Sequence, residues 1–305
     1  MTHSVRRVGY SLIEVIVACG ILALLVGLTL PAVQRVRESA HRTACKNNLK
    51  QIGLALLAYE SSRGHFPPGK AAGIVGNDPD LLVSWRGLIL PELGQDPLWS
   101  LARTACTTSR RPWLAAEHPA VTQCPTVFLC PSDGGRISGV RVNPDGHPIS
   151  LASYVGVSCS GKTPAHRADG LFGTREGEDG RKMAEISDGA SNTLAVGERP
   201  PPQTFAAGQW YANVWYFVAN DASCLDHSIG AVQYPYGTSQ CGPGYFGPGK
   251  PEEECDQWHF WSRHTSGAHF SWIDGSVRFV PYSFAASLPD LASVAGGEAV
   301  ILPAD

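Results

Sequence analysis

The sequence predicts an α+β protein in which one long N-terminal helix, partly transmembrane, packs on a mainly antiparallel β-sheet domain. Three observations predict this layout. A charge-free apolar run near the N-terminus continues into a segment whose apolar residues recur at three- and four-residue steps. Beyond Phe66 this periodicity stops, and short apolar runs alternate with turn residues. Near the C-terminus an Asp-Gly pair joins two strand-like segments.

The composition limits the function classes. The chain has 305 residues, of which 43% are apolar, and it carries 24 basic and 27 acidic residues. The apolar fraction is enough for a sizeable core and excludes wholesale disorder. The net charge of −3 argues against binding nucleic acid through the whole surface, because such binding requires basic residues that displace counterions. We therefore expect no nucleic-acid partner.

The apolar run predicts a membrane span. Val15 to Val33 are 19 residues without a charge, enough for a helix of about 28 Å, close to the hydrocarbon thickness of a bilayer. A secretory signal peptide is the alternative, but its apolar region is shorter and leads to a cleavage box of small residues. Here the run leads into a second helical pattern. Glu14, at the start of the span, needs a partner or hydration because a carboxylate in lipid is costly.

The second half of the helix is predicted to be amphipathic and to lie outside the membrane. Its apolar stripe is formed by Val33, Val36, Ala40, Ala44, Leu49, Ile52, Leu56 and Tyr59. Gly64 is a suitable C-cap, and the two prolines that follow cannot continue a helix. The prediction is therefore one rod over residues 10–61, with residues 10–33 in the membrane and residues 34–61 docked on a β-rich domain of residues 62–305.

The domain is predicted from short apolar runs that turn signals separate. These runs are Leu81–Val83, Leu88–Leu90, Val127–Leu129, Tyr154-Val155, Leu194–Val196 and Trp215–Val218. The best-defined element is a hairpin with a two-residue loop at Asp274-Gly275. In that register two apolar pairs share one face. The pairs are Trp272 with Val277 and Phe270 with Phe279.

The N-terminal residues Gly9-Tyr10-Ser11-Leu12-Ile13-Glu14-Val15 resemble the prepilin cleavage and methylation motif of type IV pilins and type II secretion pseudopilins. The resemblance implies a leader of residues 1–9, cleavage after Gly9 by prepilin peptidase and methylation of the new N-terminus at Tyr10. It further implies that the Glu14 carboxylate pairs with the terminal amine of a neighbouring subunit. The implied topology is single-pass in the inner membrane, with the N-terminus cytoplasmic and the domain periplasmic or at the cell surface. The implied partners are the peptidase and other pilin-like subunits or copies of the chain.

The C-terminal part resembles a second pattern. His264, nine residues, and then Asp274-Gly275 are similar to the H-x9-DG signature of planctomycete proteins grouped as the DUF1559 family. Further similar stretches are Asn47–Gly53, Phe66–Gly69, Ser84–Arg86, Cys130–Asp133, Ser153–Gly156, Asp188–Thr193 and Ala295–Glu298. The family has no established activity, so the resemblance implies no catalytic residue, and we interpret His264, Asp274 and Gly275 as structural.

The nine cysteines predict disulfides rather than a metal site. An extracytoplasmic domain favours disulfides, and no C-x2-C pair is present. Seven cysteines lie in the domain, and Cys45 on the helix is available as an eighth partner.

Other chemistry is weakly indicated, and we expect no cofactor and no metal. Gly156–Thr163 fits a phosphate-binding G-x4-G-K-T loop, but Pro164 follows where that loop needs a helix. His264 and His269 are five residues apart, a spacing that places side chains on opposite faces of a strand. The leading prediction is a non-enzymatic pilin-like protein. A surface binding module that the helix only anchors remains the alternative, and an extracytoplasmic hydrolase would require His264 and Asp274 to converge.

Overall fold

The computed structural model confirms the α+β layout. It describes residues 11–69, 83–109, 111, 114–134, 140–142, 146–160, 169–173, 179–201, 210, 222–224, 246–253, 255–256, 259–298 and 300. The helices of this part are α1 (Leu12–Arg63), α2 (Trp85–Leu88) and α3 (Asp96–Thr108), with several short 3-10 helices between them. The strands are β1 (Arg141–Val142), β2 (Pro148–Ile149), β3 (Tyr154–Cys159), β4 (Leu194–Glu198), β5 (Ala222–Cys224), β6 (Gly267–Trp272) and β7 (Val277–Pro281).

Helix α1 has 52 residues and is therefore about 78 Å long. Ser11 caps its start, and Gly64 ends it in the left-handed conformation with its N–H donating to the Glu60 carbonyl at 2.7 Å. The predicted C-cap is thus confirmed. The helix is apolar and long enough to cross a membrane, and its most apolar window is buried against nothing in the described part of the chain.

The second half of α1 docks on the domain. Its buried residues are Cys45, Leu49, Ile52, Gly53, Ala55, Leu56 and Tyr59. The predicted stripe is therefore confirmed from Leu49 onward, but Val33, Val36 and Ala40 are exposed. Partial burial of α1 begins only at Glu38, so the domain does not cover this first part of the stripe.

Within the described residues, five strands form one sheet in the order β5-β3-β4-β6-β7. All neighbours are antiparallel except β3 and β5, which are parallel. Two apolar clusters lie on this sheet. One contains the buried half of α1 together with Trp85 and Phe128. The other contains Phe270, Trp272 and Leu288. The sheet is therefore buried on both faces, and α1 covers one of them.

The β6–β7 hairpin differs from its prediction by one residue. The observed pairs are His269 with Phe279, Phe270 with Arg278 and Ser271 with Val277. The loop has three residues, Ile273 to Gly275, because the Trp272 N–H donates to the Ser276 carbonyl at 2.9 Å. A two-residue turn of the expected type needs positive φ at both positions, and here only Gly275 has it, with φ 76°. The extra residue places Phe279 opposite His269 instead of Phe270.

Some apolar runs predicted as strands are helical. Leu88 ends α2, and Val127 and Phe128 form part of a 3-10 helix, whereas Tyr154-Val155 and Leu194–Val196 lie in strands as expected. Short apolar runs do not distinguish a buried strand from a buried helical turn. Leu81-Leu82, Trp215–Val218 and Gly161–Thr163 lie outside the described residues.

Candidate functional site

A buried carboxylate lies where the docked half of α1 begins. Glu198, the last residue of β4, is 1% exposed. Its Oε1 lies 3.2 Å from Nε2 of His264, and its Oε2 accepts the backbone N–H of His269 at 2.6 Å. The Oε2 atom also lies 3.3 Å from Nδ1 of His269. Two histidines therefore surround one carboxylate, and buried charge is compensated at short range.

His264 joins this carboxylate to the helix. Its Nδ1 lies 2.7 Å from Oε1 of Glu38 on α1, while its Nε2 faces Glu198. The His264 side chain has no exposed area, whereas that of Glu38 is 40% exposed. Ser132 is a further neighbour, with its Oγ 3.4 Å from Nδ1 of His264 and 3.3 Å from Glu38 Oε2. His264 therefore bridges a helix carboxylate and a sheet carboxylate.

The mutual contacts set the protonation of the pair. Burial alone would raise the pKa of Glu198, but hydrogen bonds and positive charge from His264 and His269 lower that pKa to about 2. Burial alone would lower the pKa of His264, but Glu198 and Glu38 reverse the effect and raise it above its usual value. The Glu198 carboxylate therefore favours the protonated form of His264, and each group stabilises the charged form of the other.

The five-residue spacing of the histidines does not separate them, contrary to the sequence expectation. Their rings are edge to face at 5.2 Å between centroids. His264 precedes the strand, which begins at Gly267, and Ser266 between them has φ 70°. A turn therefore replaces the extended geometry that the expectation assumed. His259 lies elsewhere, with its Nε2 3.0 Å from Asp256.

A disulfide adjoins the cluster. Cys45 of α1 and Cys130 are bonded, which confirms that the helix cysteine has a partner in the domain. Cys130 Sγ lies 3.8 Å from His264 Nε2 and 4.0 Å from Glu198 Oε1. One donor atom from each of these four residues lies within 4.8 Å of the others, so the group could hold a metal ion. Elsewhere, Cys159 and Cys255 are also disulfide-bonded.

Asp133 is a second buried carboxylate near the cluster. It is 2% exposed, and neither of its side-chain oxygens has a hydrogen-bond partner among the described residues. Arg263 is its nearest cation, with Nε 3.9 Å from Oδ1. Burial, and to a lesser degree the charge of Glu198, raises the pKa of Asp133 to about 7. The protonated and ionised forms of Asp133 are therefore both populated near neutral pH.

The other end of the H-x9-DG signature lies at a different place on α1. Gly275 contacts Gly53 so closely that a Cβ on Gly53 would lie 3.2 Å from the Gly275 Cα. Lys50 Nζ donates to the Gly275 carbonyl at 2.7 Å, and the Asp274 side chain accepts the Ser276 N–H within its own loop. Gly53 is 15 residues, or about 22 Å of helix, beyond Glu38. The structure therefore does not bring His264 and Asp274 together as the hydrolase alternative requires.

The other signature stretches contact one another. Asn48 of α1 donates to the Leu129 carbonyl at 2.9 Å, next to the Cys130–Asp133 stretch. Arg86 donates twice to the Tyr154 carbonyl, at 3.0 and 2.6 Å. Asp188 accepts the backbone N–H groups of Gly296 and Gly297 at 2.7 and 2.9 Å. These contacts fix the loops around the docked helix.

At the start of α1, Ser11 and Glu14 form a reciprocal capping box. The Ser11 N–H donates to Glu14 Oε2 at 2.8 Å, and the Glu14 N–H donates to Ser11 Oγ at 3.3 Å. The carboxylate therefore points back toward the N-terminus. Gly9 and Tyr10 lie outside the described residues.

Sequence reasoning missed Glu38, Glu198 and Asp133. Glu38 is seven residues, two helical turns, before Cys45 and so lies on the same face. Glu198 ends the apolar stretch of β4, where a carboxylate in a fully buried strand needs a partner. Both signals are present in the sequence, but neither identifies the partner.

Fold and site together define an α+β protein whose long helix is apolar enough at its start to cross a membrane. The second half of this helix is docked on the sheet, and a buried carboxylate–histidine cluster lies where the docked half begins. The family described as "Protein of unknown function (DUF1559)" matches residues 34–287, and the chain belongs to this family. The match includes Glu38, Cys45, Glu198 and His264 and begins beyond the apolar half of α1. No curated protein and no solved structure matches the chain.

Proposed function

We propose that the protein is a non-enzymatic, membrane-anchored subunit of the pilin or pseudopilin kind. In this proposal prepilin peptidase removes residues 1–9, Tyr10 becomes the methylated N-terminus, and copies of the chain or other pilin-like subunits assemble through their apolar helices. The leader lies in the cytoplasm, α1 crosses the inner membrane once, and the domain lies in the periplasm or at the cell surface.

The observation that carries the proposal is the uncovered apolar half of α1. Leu12, Leu24 and Leu28 are 78%, 65% and 67% exposed, and the residues between are exposed as well. A continuous apolar surface of this kind is not stable in water. Leu12 to Val33 is 22 residues, or about 33 Å of helix, which matches a bilayer. Lipid and neighbouring helices are the surroundings that fit it.

Glu14 supports assembly as well as anchoring. Its carboxylate is directed toward the N-terminus of α1 by the hydrogen bond from Ser11. After cleavage that end would carry an ammonium group. A carboxylate near the end of a membrane helix is costly unless it is paired, and an ammonium from an adjacent copy would offset the desolvation of both.

Processing is tested by co-expressing the full chain with an active prepilin peptidase and determining the mature N-terminus by mass spectrometry. We expect a chain that begins at Tyr10 and carries one added methyl group. Gly9→Val should block cleavage, while Gly20→Val is the matched control, because nothing lies within 4 Å of a Cβ at Gly20. A chain that still begins at Met1 beside active peptidase would contradict the proposal.

Assembly is tested with Glu14→Ala. We expect this variant to be cleaved and inserted but not to form filaments, since its neighbour's ammonium then has no counter-charge. Glu60→Ala, on the docked half of the same helix, should assemble like the unsubstituted chain. Normal filaments from Glu14→Ala would remove the assembly role. A cleaved, unsubstituted chain that stays monomeric in the membrane would favour the anchored binding module instead.

A further inference from the structure

We propose that the Cys45–Cys130 disulfide is one of two states of this site, and that its reduced state binds Zn²⁺. The ligands would be the two thiolates, Nε2 of His264 and a carboxylate oxygen of Glu198. The ion would lie between α1 and the sheet. This proposal does not depend on pilin-like assembly.

Three of the four donor atoms have nearly the spacing of a tetrahedral site. His264 Nε2 lies 3.2 Å from Glu198 Oε1 and 3.8 Å from Cys130 Sγ, and Cys130 Sγ lies 4.0 Å from the same oxygen. In tetrahedral zinc sites with bonds of about 2.0 to 2.3 Å, neighbouring donors are about 3.3 to 3.8 Å apart. Once the sulfur–sulfur bond is broken, the two sulfurs must separate to about 3.8 Å, the spacing of two thiolates in such a site, to complete the set.

The ligands also have the outer contacts that zinc sites require. The Nδ1 atom of His264 faces the Glu38 carboxylate at 2.7 Å, which directs Nε2 toward the ion position. The second oxygen of Glu198 is held by the His269 N–H at 2.6 Å. A carboxylate behind a ligating histidine fixes its orientation and increases its basicity.

The surrounding charge favours a cation. Glu198 and Asp133 are both buried carboxyl groups. Arg263, 3.9 Å from Asp133, and the histidines are the neighbouring positive groups. A divalent ion would take the place of the proton that His264 shares with Glu198, and it would be excluded from water like its ligands.

The conversion balances with a dithiol reductant. The dithiol gives two electrons and two protons to the Cys45–Cys130 bond, which becomes two thiols while the dithiol becomes a disulfide. Zn²⁺ then displaces the protons of both thiols and the proton of His264 Nε2, and these pass to solvent. The covalent link between α1 and the loop at Cys130 is thereby replaced by a metal link, so the helix stays attached in either state.

The test uses the full chain in detergent, with zinc binding measured by competition against a chromophoric chelator. After reduction with a phosphine in the absence of oxygen, we expect one Zn²⁺ per chain at this site, and none at this site in the oxidised chain. Cobalt bound instead should give the visible band of a tetrahedral ion and a thiolate charge-transfer band. Reduced protein that binds no more zinc than oxidised protein would overturn the proposal.

Variants locate the site. The double variant Cys45→Ser/Cys130→Ser should lose the ion, and Glu38→Gln should weaken binding about 10-fold, as outer contacts of metal ligands do. Cys124→Ser is the matched control, because Cys124 is a thiol outside the cluster. Unchanged affinity in the double variant would overturn the assignment.

A measurement on the unsubstituted chain covers the case in which a variant fails to fold. Bound zinc should slow alkylation of Cys45 and Cys130, read by peptide mass spectrometry, and leave alkylation of the exposed Cys19 unchanged. Equal alkylation of Cys45 and Cys130 with and without zinc would contradict the proposal.

Discussion

At the scale of single residues, the protein concentrates buried charge where α1 meets the sheet. Glu198 is compensated by His264 and His269 at hydrogen-bond distance, whereas the Arg263 guanidinium lies 3.9 Å from Asp133. The difference is visible in their acidities, since the pKa of Glu198 is lowered to about 2 and burial raises that of Asp133 to about 7. The ionised form of Glu198 is therefore stabilised, whereas burial disfavours the ionised form of Asp133.

Asp133 makes the stability of the fold depend on pH. Its pKa rises from 3.8 to about 7 on folding, so the folded state binds the proton more tightly. This contribution is full below pH 3.8 and is lost as the pH rises to about 7. Between pH 3.8 and about 7, the free energy of unfolding should therefore fall less in Asp133→Asn than in the unsubstituted chain, as measured by denaturant titration. Asp179→Asn, at an exposed carboxylate, is the control. The same pH slope in Asp133→Asn and the unsubstituted chain would contradict this account.

At the scale of elements, two glycines determine how closely the hairpin approaches the helix. Gly275 supplies the positive φ that closes the three-residue loop, and Gly53 lets that loop lie against α1. Lys50 donates to the Gly275 carbonyl beside this contact. Two signature stretches of the family, Asn47–Gly53 and the Asp-Gly pair, are thus two sides of one contact.

Gly53→Leu should separate the hairpin from the helix. A Cβ at this position would lie 3.2 Å from the Gly275 Cα, and the rest of the leucine side chain would extend into the hairpin. Overpacking of this kind costs about 1 to 3 kcal/mol. Gly27→Leu is the control, because it makes the same change on the exposed half of α1, where nothing lies within 4 Å of a Cβ. Both variants gain the same helix propensity when leucine replaces glycine. The difference between the two free energies of unfolding in detergent isolates the contact. Equal values would show that the close approach is not required.

At the scale of the whole molecule, the two halves of α1 have different surroundings. The first half is exposed along its whole apolar surface. The second half places Leu49, Ile52, Leu56 and Tyr59 in the core, all at most 3% exposed. Burial of four such side chains stabilises the fold by roughly 6 to 12 kcal/mol, which is comparable to the total stability of a domain.

Truncation should separate these two roles. A chain that begins at Gln34 keeps the docked half, so we expect it to fold with an unchanged midpoint of thermal unfolding and to stay in the aqueous phase of a detergent partition. A chain that begins at Ser62 loses the core residues of α1 and should not fold cooperatively. Cooperative unfolding of that shorter chain would show that the sheet domain is stable without the helix.

How far the sequence predicts this protein depends on the range of each interaction. The long helix, its Gly64 cap, the apolar half, the β3 and β4 segments and the family could all be predicted. The hairpin was placed correctly, but its loop was one residue too short, because sequence spacing does not show whether Asp274 adopts positive φ. Gly9, Tyr10 and Glu14 keep their sequence-derived roles as predictions.

The sequence alone determined the features that arise between near neighbours: apolar periodicity along α1, its caps, and the turn residues. The tertiary structure decided which distant groups meet. His264 reaches Glu198 across 66 residues and Glu38 across 226, and Cys45 reaches Cys130 across 85. Local spacing carries no information about such pairs, since docking of the helix on the sheet brings them together and burial then favours the pairing of opposite charges.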